Sequence, residues 1–171
     1  MHALVVYESM FGNTEHIAES VVDGLSAGVS ATIAEAGTMS ALPDDPVDLL
    51  VVGAPTHAFG LPGPRTREDA ARQAPGKAVN GNGVREWLDT LPAAGSGAVA
   101  ATFDTRLAKP RWLPGSAARR AAARLRRLGY RVVAVETFFV TGTQGPLKNG
   151  EAARARLWAS NLVSRIENAR D

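Results

Sequence analysis

Strand-like and helical patterns alternate along almost the whole chain, and this alternation constrains the fold more than any other feature. The helical patterns, in which apolar side chains recur every three to four positions, cover residues 14–25, 84–91, 116–128 and 151–166. The strand-like runs cover residues 3–7, 29–33, 49–53, 98–103 and 132–140. Strands that alternate with helices form right-handed βαβ units with parallel strands. We therefore predict an α/β fold with a doubly wound, five-stranded parallel sheet and helices on both faces.

The segment YESMFGNTEH, from Tyr7 to His16, lies where the first strand pattern gives way to the first helical pattern. The first backbone N–H groups of a helix have no internal partner and carry a partial positive charge, so such a turn can bind a phosphate group. Gly12 lets the backbone approach a ligand closely, and side-chain hydrogen bonds can come from Ser9, Asn13 and Thr14. The alternative is that Asn13 or Thr14 is an ordinary helix cap.

Two well-known phosphate motifs are missing from this loop, which narrows the ligand. The loop has no Gly-Lys-Ser/Thr, so it lacks the lysine and the magnesium-binding hydroxyl of a triphosphatase P-loop. It also differs from the Gly-x-Gly-x-x-Gly pattern of dinucleotide sites. We therefore expect a monophosphate group as the ligand.

Two further loops are predicted to reach the same edge of the sheet, because ligands bind outside the carboxyl ends of parallel strands. One follows the third strand and reads GAPTHAFGLPGP over residues 53–64. The other follows the fourth strand and reads FDTRLAKPRWLPGS over residues 103–116. The first of these loops carries the planar side chains of His57 and Phe59, and the second carries that of Trp112. A phosphate pocket beside planar side chains suits a phosphorylated ring system.

Length and composition exclude several classes of protein. A chain of 171 residues is long enough for one domain with its own core, so we predict a single domain over residues 1–171. The lack of cysteine excludes thiol catalysis, disulfides and thiolate metal sites, and it is compatible with the cytoplasm. No stretch has the pattern of a targeting peptide or of a membrane span. We therefore expect a soluble, cytoplasmic protein.

Five arginines crowd into one short stretch, namely Arg119, Arg120, Arg124, Arg126 and Arg127. Alanine and leucine residues stand between them at helical spacing, so we predict that the arginines cover the solvated face of an amphipathic helix. The stretch contains no interleaved aromatic residues for stacking on bases. We therefore expect no nucleic-acid partner.

Residues 62–83 are the least regular part of the chain and are rich in Gly, Pro, Arg and Asn. We interpret them as an insertion that carries one short helix. Thr66, followed by Asp69, resembles a capping arrangement at the start of that helix. The insertion either contributes to function or is a solvated loop without a special role.

Two motifs together resemble the flavodoxin family, whose members bind flavin mononucleotide (FMN). The first family motif is Ser or Thr, then any two residues, then Gly-Asn-Thr-Glu, and it is matched by Ser9 and residues 12–15. The second is Gly-x-x-Thr-x-x-x-Gly, and it is matched by Gly53 to Gly60. The resemblance covers essentially the whole chain and implies the strand order 2-1-3-4-5. Met10 and Phe11 depart from many electron-carrier flavodoxins and resemble the flavin domains of flavodiiron-type and quinone-reductase-type relatives.

The resemblance implies a role for each loop. The first loop would hold the FMN phosphate, Thr56 would lie near the ribityl chain or the phosphate, and either His57 or Phe59 would form the inner wall of the flavin ring. The backbone of residues 58–60 would face the flavin N5. The third loop has no tyrosine, so Trp112 is either a substitute stacking residue or a packing residue. The implied cofactor-binding residues are Ser9, Met10, Phe11, Gly12, Asn13, Thr14, Pro55, Thr56, His57, Ala58, Phe59, Gly60, Phe103, Asp104, Thr105, Arg106 and Trp112.

Positive charge distinguishes this chain from electron-carrier flavodoxins, which are typically acidic. Each positive charge near the flavin would stabilise its reduced anion by about 1 kcal/mol, so we expect a less negative reduction potential than in a typical flavodoxin. A reductase that recognises the acidic surface of a carrier would not be complementary to the positive charge predicted here. The cations predicted in or beside the site are Arg65, Arg67, Arg106, Lys109 and Arg111.

These observations predict a protein that transfers electrons through bound FMN, to a redox partner protein or a small-molecule acceptor. Such a protein needs no catalytic triad, carboxylate pair or metal cluster of its own. One alternative is an FMN-dependent oxidoreductase that acts on a quinone, a porphyrinogen or another small molecule, with the insertion and residues 107–112 shaping the substrate pocket. The other alternative is a flavin-free, flavodoxin-like binding module.

Overall fold

Five strands form one parallel sheet in the order β2-β1-β3-β4-β5 in the computed structural model, which describes residues 1–26, 28–57, 60–74, 82–108 and 115–167. The strands are β1 (His2–Tyr7), β2 (Ser30–Glu35), β3 (Leu49–Pro55), β4 (Val99–Leu107) and β5 (Arg131–Val140). The predicted fold class and the predicted strand order are confirmed. The β4 strand runs beyond its predicted end at Phe103, because its pairing with β5 continues to Leu107 and Val140.

Helices cover both faces of the sheet. One face packs against the first and last helices and the other against the third and fourth. A short 3₁₀ turn follows β2 at Ala36–Thr38. Within the described residues, no helix is long and apolar enough to cross a membrane. The helices are α1 (Asn13–Leu25), α2 (Pro64–Gln73), α3 (Val84–Thr90), α4 (Ala117–Arg127) and α5 (Glu151–Glu167).

The central strand β1 shows how the sequence forms these two layers. Ala3 and Val5 pack with α1 and α5, whereas Leu4 and Val6 pack with the layer of α3 and α4. All four side chains are buried. A strand that is covered on both faces therefore has a continuous apolar sequence rather than an alternating one.

Three aromatic side chains fill the core under α5. Phe103, Phe138 and Trp158 meet edge to face, with ring centroids 6.0–6.2 Å apart. The Phe103 side chain is fully buried in this cluster. The resemblance had assigned Phe103 to the cofactor site, but here it is a core residue whose ring faces other aromatic rings.

Gly53 in β3 allows the Phe103 ring to approach, since a Cβ at Gly53 would collide with that ring. We expect Gly53→Ala to lower the free energy of unfolding by about 1–3 kcal/mol, because overpacking a dense core is costly. Urea unfolding measures this loss. The matched control is Gly95→Ala, whose Cβ would meet nothing within 4 Å. An equal loss in both variants would contradict this role of Gly53.

The helix of the insertion begins earlier than Thr66. Pro64 is its first residue, Gly63 is the N-cap, and Thr66 is the third residue, whose hydroxyl accepts the Gly63 N–H at 2.9 Å. Proline is favoured at the first helical position because its missing N–H would have no partner there. The predicted helix is therefore present, but the predicted start is corrected. The part of the insertion at residues 75–81 lies outside the described residues.

The arginines of α4 lie on its outer side, as predicted. Four of the five are exposed, and the half-buried Arg124 pairs with Asp89 at 2.6 Å. The opposite side of the helix is apolar and packs on the sheet. Its buried residues are Ala117, Ala118, Ala121, Ala122 and Leu125.

Candidate functional site

The loop between β1 and α1 ends in a helix N-terminus with free donors. Gly12 is the N-cap, its φ of 86° is in the left-handed region, and no side chain caps the helix. Its N–H donates to the Ser9 hydroxyl at 3.0 Å. Among the described residues, the backbone N–H groups of Asn13 and Thr14 have no acceptor. Such free donors at a helix N-terminus fit the predicted phosphate contact.

The polar side chains of this loop differ in how far their hydrogen-bonding groups are already occupied. The Ser9 hydroxyl accepts one hydrogen bond and keeps its own proton to donate. The Asn13 amide donates to the carbonyl of Gln144 at 3.1 Å, and the buried Thr14 hydroxyl lies 2.7 Å from that of Thr105. Ser9 is therefore the side chain of the three best able to bind a ligand. Of the two apolar residues in the loop, Met10 is buried and Phe11 is half-buried.

The loop after β5 also reaches this edge, which the sequence pattern did not predict. Gly145 has a φ of 99°, and a Cβ there would collide with the Asn13 amide. The Gln144 side chain donates to the carbonyl of Gln73, at the end of α2, at 3.4 Å. The loop therefore joins the N-terminus of α1 to the insertion helix. The sequence signal for it was the run of glycines and proline from Gly142 to Pro146.

The Asp104 side chain is the hub of a buried hydrogen-bond network. Its carboxylate is fully buried and accepts the Thr137 hydroxyl at 2.7 Å and the Ser116 hydroxyl at 2.5 Å. It also accepts the Thr56 hydroxyl at 2.8 Å and the Ala118 N–H, at the start of α4, at 3.1 Å. This corrects the expectation that the Asp104 side chain lines the flavin ring.

Thr56 takes part in the same network. Its hydroxyl donates to Asp104 and accepts the Ala117 N–H at 2.9 Å, so it serves the start of α4. Its backbone N–H donates to the carbonyl of Thr105 at 2.9 Å. The preceding residue, Pro55, is buried at the end of β3. The Thr56 hydroxyl therefore has one acceptor site left and no proton for a phosphate.

Arg106 lies at the end of β4 and is half-buried. One of its terminal N–H groups donates to the carbonyl of Gly115 at 2.8 Å. Its Nε is buried and has no hydrogen-bond partner in the part of the chain that the structure describes. Five of the residues predicted in or beside the site lie outside that part, namely Ala58, Phe59, Lys109, Arg111 and Trp112.

Arg67 joins two carboxylates in a buried cluster. Its Nε donates to Glu8 at 2.6 Å and a terminal N–H donates to Glu86 at 2.7 Å. Glu8 also accepts the Val84 N–H at 2.9 Å, and a Cβ at Gly83 would collide with Glu8 and Arg67. Arg67 was expected to act as a free positive charge beside the flavin. Two carboxylates face its single positive charge, so Arg67 adds no net positive charge there, and it attaches α2 to β1 and α3.

His57 and Gly60 form a tight turn after β3. The N–H of each residue donates to the carbonyl of the other, at 3.0 and 2.9 Å. Burial lowers the pKa of the His57 imidazole, and the charge of Glu8 opposes this shift only in part. His57 is therefore a neutral imidazole at neutral pH, able to donate one hydrogen bond and to accept another.

The sequence matches no protein-family model, and no curated protein is significantly similar to it. Solved structures are similar to it over nearly the whole chain. A mutant of the flavodoxin from Pseudomonas aeruginosa has a TM-score of 0.70 and 15% identity, with 98% of this chain and 99% of that chain covered. The chain has a flavodoxin-like fold. Oxidised Flavodoxin 2 from Bacillus cereus has a TM-score of 0.64 and 20% identity, with 96% and 99% covered. A flavodoxin from the domain Archaea has a TM-score of 0.60 and 16% identity, with 98% and 99% covered.

Proposed function

We propose that this flavodoxin-like protein binds FMN and transfers electrons through it. The observation that carries the proposal is the uncapped N-terminus of α1, at the carboxyl end of β1. Within the described part of the chain, the N–H groups of Asn13 and Thr14 and the proton of the Ser9 hydroxyl have no acceptor and can be donated to a phosphate. An anion held there gains both from hydrogen bonds and from the helix dipole.

The flavin ring would lie between the loops that follow β3 and β4, as the resemblance implies. The His57–Gly60 turn and the backbone of Thr105 and Arg106 would border it on this protein. Bound FMN would supply the reversible uptake of electrons, which the side chains of a cysteine-free chain do not offer. The positive charge beside the flavin would be smaller than the sequence suggested, because two carboxylates, Glu8 and Glu86, pair with the one guanidinium of Arg67.

Titrations with FMN and with riboflavin, which lacks the phosphate, test this proposal. We expect FMN to bind at one site with perturbed absorbance and quenched fluorescence, and riboflavin to bind at least about tenfold more weakly. We expect Ser9→Ala to raise the Kd for FMN by about tenfold or more, because a hydrogen bond to a charged group contributes about 1.5–3 kcal/mol. The Kd for riboflavin should not change.

Ser160→Ala is the matched control, since the exposed Ser160 hydroxyl donates to the carbonyl of Leu157 within α5, away from the loops of the candidate site. Equal affinities for FMN and riboflavin would contradict the phosphate contact. No binding of either flavin would contradict the proposal as a whole and would favour the flavin-free binding module.

A second candidate function is an FMN-dependent oxidoreductase that acts on a small molecule. The observation in its favour is a cavity beside the His57–Gly60 turn, which an electron carrier does not need. Steady turnover of a small-molecule acceptor by the FMN-loaded protein would distinguish this enzyme from a carrier that requires a protein partner.

A further inference from the structure

A cavity of about 460 Å³ lies beside the His57–Gly60 turn, on the side of α2, α3 and α4. Three arginines from these three helices line it, namely Arg65, Arg85 and Arg120. No carboxylate is among the described residues that line it. The cavity is therefore strongly basic, although the whole chain has a formal charge of only +2.

Arg85 is held in place by the chain that precedes α2. Its side chain donates to the carbonyls of Leu61 at 2.5 Å and Pro62 at 3.0 Å. The backbone carbonyl of Arg85 accepts an N–H of the Arg124 side chain, so the backbone of α3 is joined to a side chain of α4 at this point. These contacts use only part of the donors of the Arg85 guanidinium, which has five.

Arg120 lies directly against the turn. A Cβ on Gly60 would be 2.5 Å from Nε of Arg120, so the arginine packs on the bare backbone of this glycine. Among the described residues, neither Arg120 nor Arg65 has an ion-pair partner. Like charges that converge without a counterion repel one another, and a bound anion would remove this cost.

The N-terminus of α2 adds to the positive field. Gly63, Pro64, Arg65 and Thr66 all line the cavity. The N-cap Gly63 has no side chain to accept the first N–H groups of the helix, although the Thr66 hydroxyl accepts the N–H of Gly63 itself. The planar guanidinium of an arginine can donate two parallel hydrogen bonds to the paired oxygens of a carboxylate or phosphate group. A helix N-terminus also favours a negative charge.

We propose that this cavity binds the oxyanion, a carboxylate or a phosphate, of a small-molecule ligand. The ligand is a small molecule because the site is an open cavity of limited volume, about 460 Å³, with its cationic groups gathered around it. The cavity shares the His57–Gly60 turn with the predicted flavin site. This last step rests on the second candidate function, an FMN-dependent oxidoreductase, under which the ligand is the small molecule that exchanges electrons with the flavin.

Calorimetric titration of the full chain tests this proposal, with inorganic phosphate and malonate as separate probes. The titrations use protein saturated with FMN, so that the α1 site is filled, and low ionic strength, because salt screens exposed charges. We expect saturable binding of at least one probe. The probe that binds more tightly identifies the oxyanion as phosphate or carboxylate.

Arg120→Gln is expected to weaken this binding by about tenfold or more, and the double variant Arg65→Gln/Arg120→Gln to abolish it. The matched control is Arg126→Gln, since Arg126 is an exposed arginine of α4 that does not line the cavity. The control should bind the probe as the wild type does. Equal weakening in Arg120→Gln and Arg126→Gln, or no saturable binding of either probe, would overturn the proposal.

The two proposals can fail separately. If FMN does not bind, the same titrations are made on the flavin-free protein with the Ser9→Ala substitution as an added background. Probe binding that depends on Arg120 would then support the cavity and leave only the flavin proposal contradicted. Normal FMN binding without probe binding would contradict the cavity alone.

Discussion

Replacing Arg67 with methionine is expected to lower the free energy of unfolding by about 3–5 kcal/mol, because the change leaves a buried carboxylate without its partner. The Arg67 and Glu8 side chains are only 6% and 4% exposed, and their ion pair is 2.6 Å long. Without Arg67, Glu8 retains one backbone donor, Val84 N–H. Urea or thermal unfolding, followed by circular dichroism, measures the loss.

Arg72→Met is the matched control in the same helix. Its side chain is 73% exposed and pairs with Asp69 at 3.0 Å, and exposed ion pairs contribute about 0–1 kcal/mol. The double variant Glu8→Gln/Arg67→Met should regain part of the stability, since it removes the unpaired charge. If Arg67→Met cost no more than Arg72→Met, the cluster would not anchor α2.

Acid unfolding gives a second measure of the cluster. Burial alone would raise the pKa of Glu86, but hydrogen bonds from Arg67 and from the Gly83 N–H outweigh it, so the pKa lies below the ordinary value of 4.5. A lowered folded-state pKa stabilises the protein above the unfolded-state value, and this stability is lost as the pH falls through the folded-state value. This acid dependence should be weaker in Arg67→Met.

Asp104→Ala is expected to lower the free energy of unfolding by at least about 3 kcal/mol, which is similar to the effect of Arg67→Met. The substitution leaves three hydroxyls and the Ala118 N–H without their acceptor, and each buried unsatisfied group costs about 1–3 kcal/mol. The start of α4 and the ends of β3 and β5 lose their common attachment. Chemical unfolding measures the effect, and hydrogen exchange at the first turn of α4 should locate it.

Two further variants test the reason for this effect. Asp104→Asn keeps the shape of the side chain and one acceptor oxygen. We therefore expect its free energy of unfolding to lie between those of the wild type and of Asp104→Ala. Asp89→Ala removes an aspartate that is 63% exposed and pairs with Arg124, and it should cost less than about 1 kcal/mol. An Asp104→Ala protein as stable as Asp89→Ala would contradict the role of the hub.

The sheet and its layers could be predicted because they depend on local periodicity. Every predicted strand is present, and the α4 arginines are on the solvated side. Helix starts were less predictable: Thr66 has the sequence of an N-cap, yet Pro64 and Gly63 start α2. The strand order came from the flavodoxin resemblance, since periodicity does not say which strands are neighbours.

The loops that meet at the carboxyl edge of the sheet were predictable, but the roles of several of their side chains were not. Asp104 was predicted in the loop after the fourth strand and Arg67 in the insertion, and both positions suggested a ligand site. Their partners are far away in sequence, as in the pairing of Arg67 with Glu8, and only the folded chain brings them together. A charged residue that finds such partners is neutralised and buried, whereas the arginines that line the cavity found no carboxylate among the described residues.

The insertion helix α2 touches both candidate sites. Its first residues line the basic cavity, Arg67 attaches it to Glu8, the residue before Ser9, and its last carbonyl meets the Gln144 side chain beside Asn13. A helix of 10 residues is about 15 Å long. With FMN at α1 and an anion in the cavity, as we propose, the helix would act as a spacer that sets the distance between the anion and the FMN phosphate.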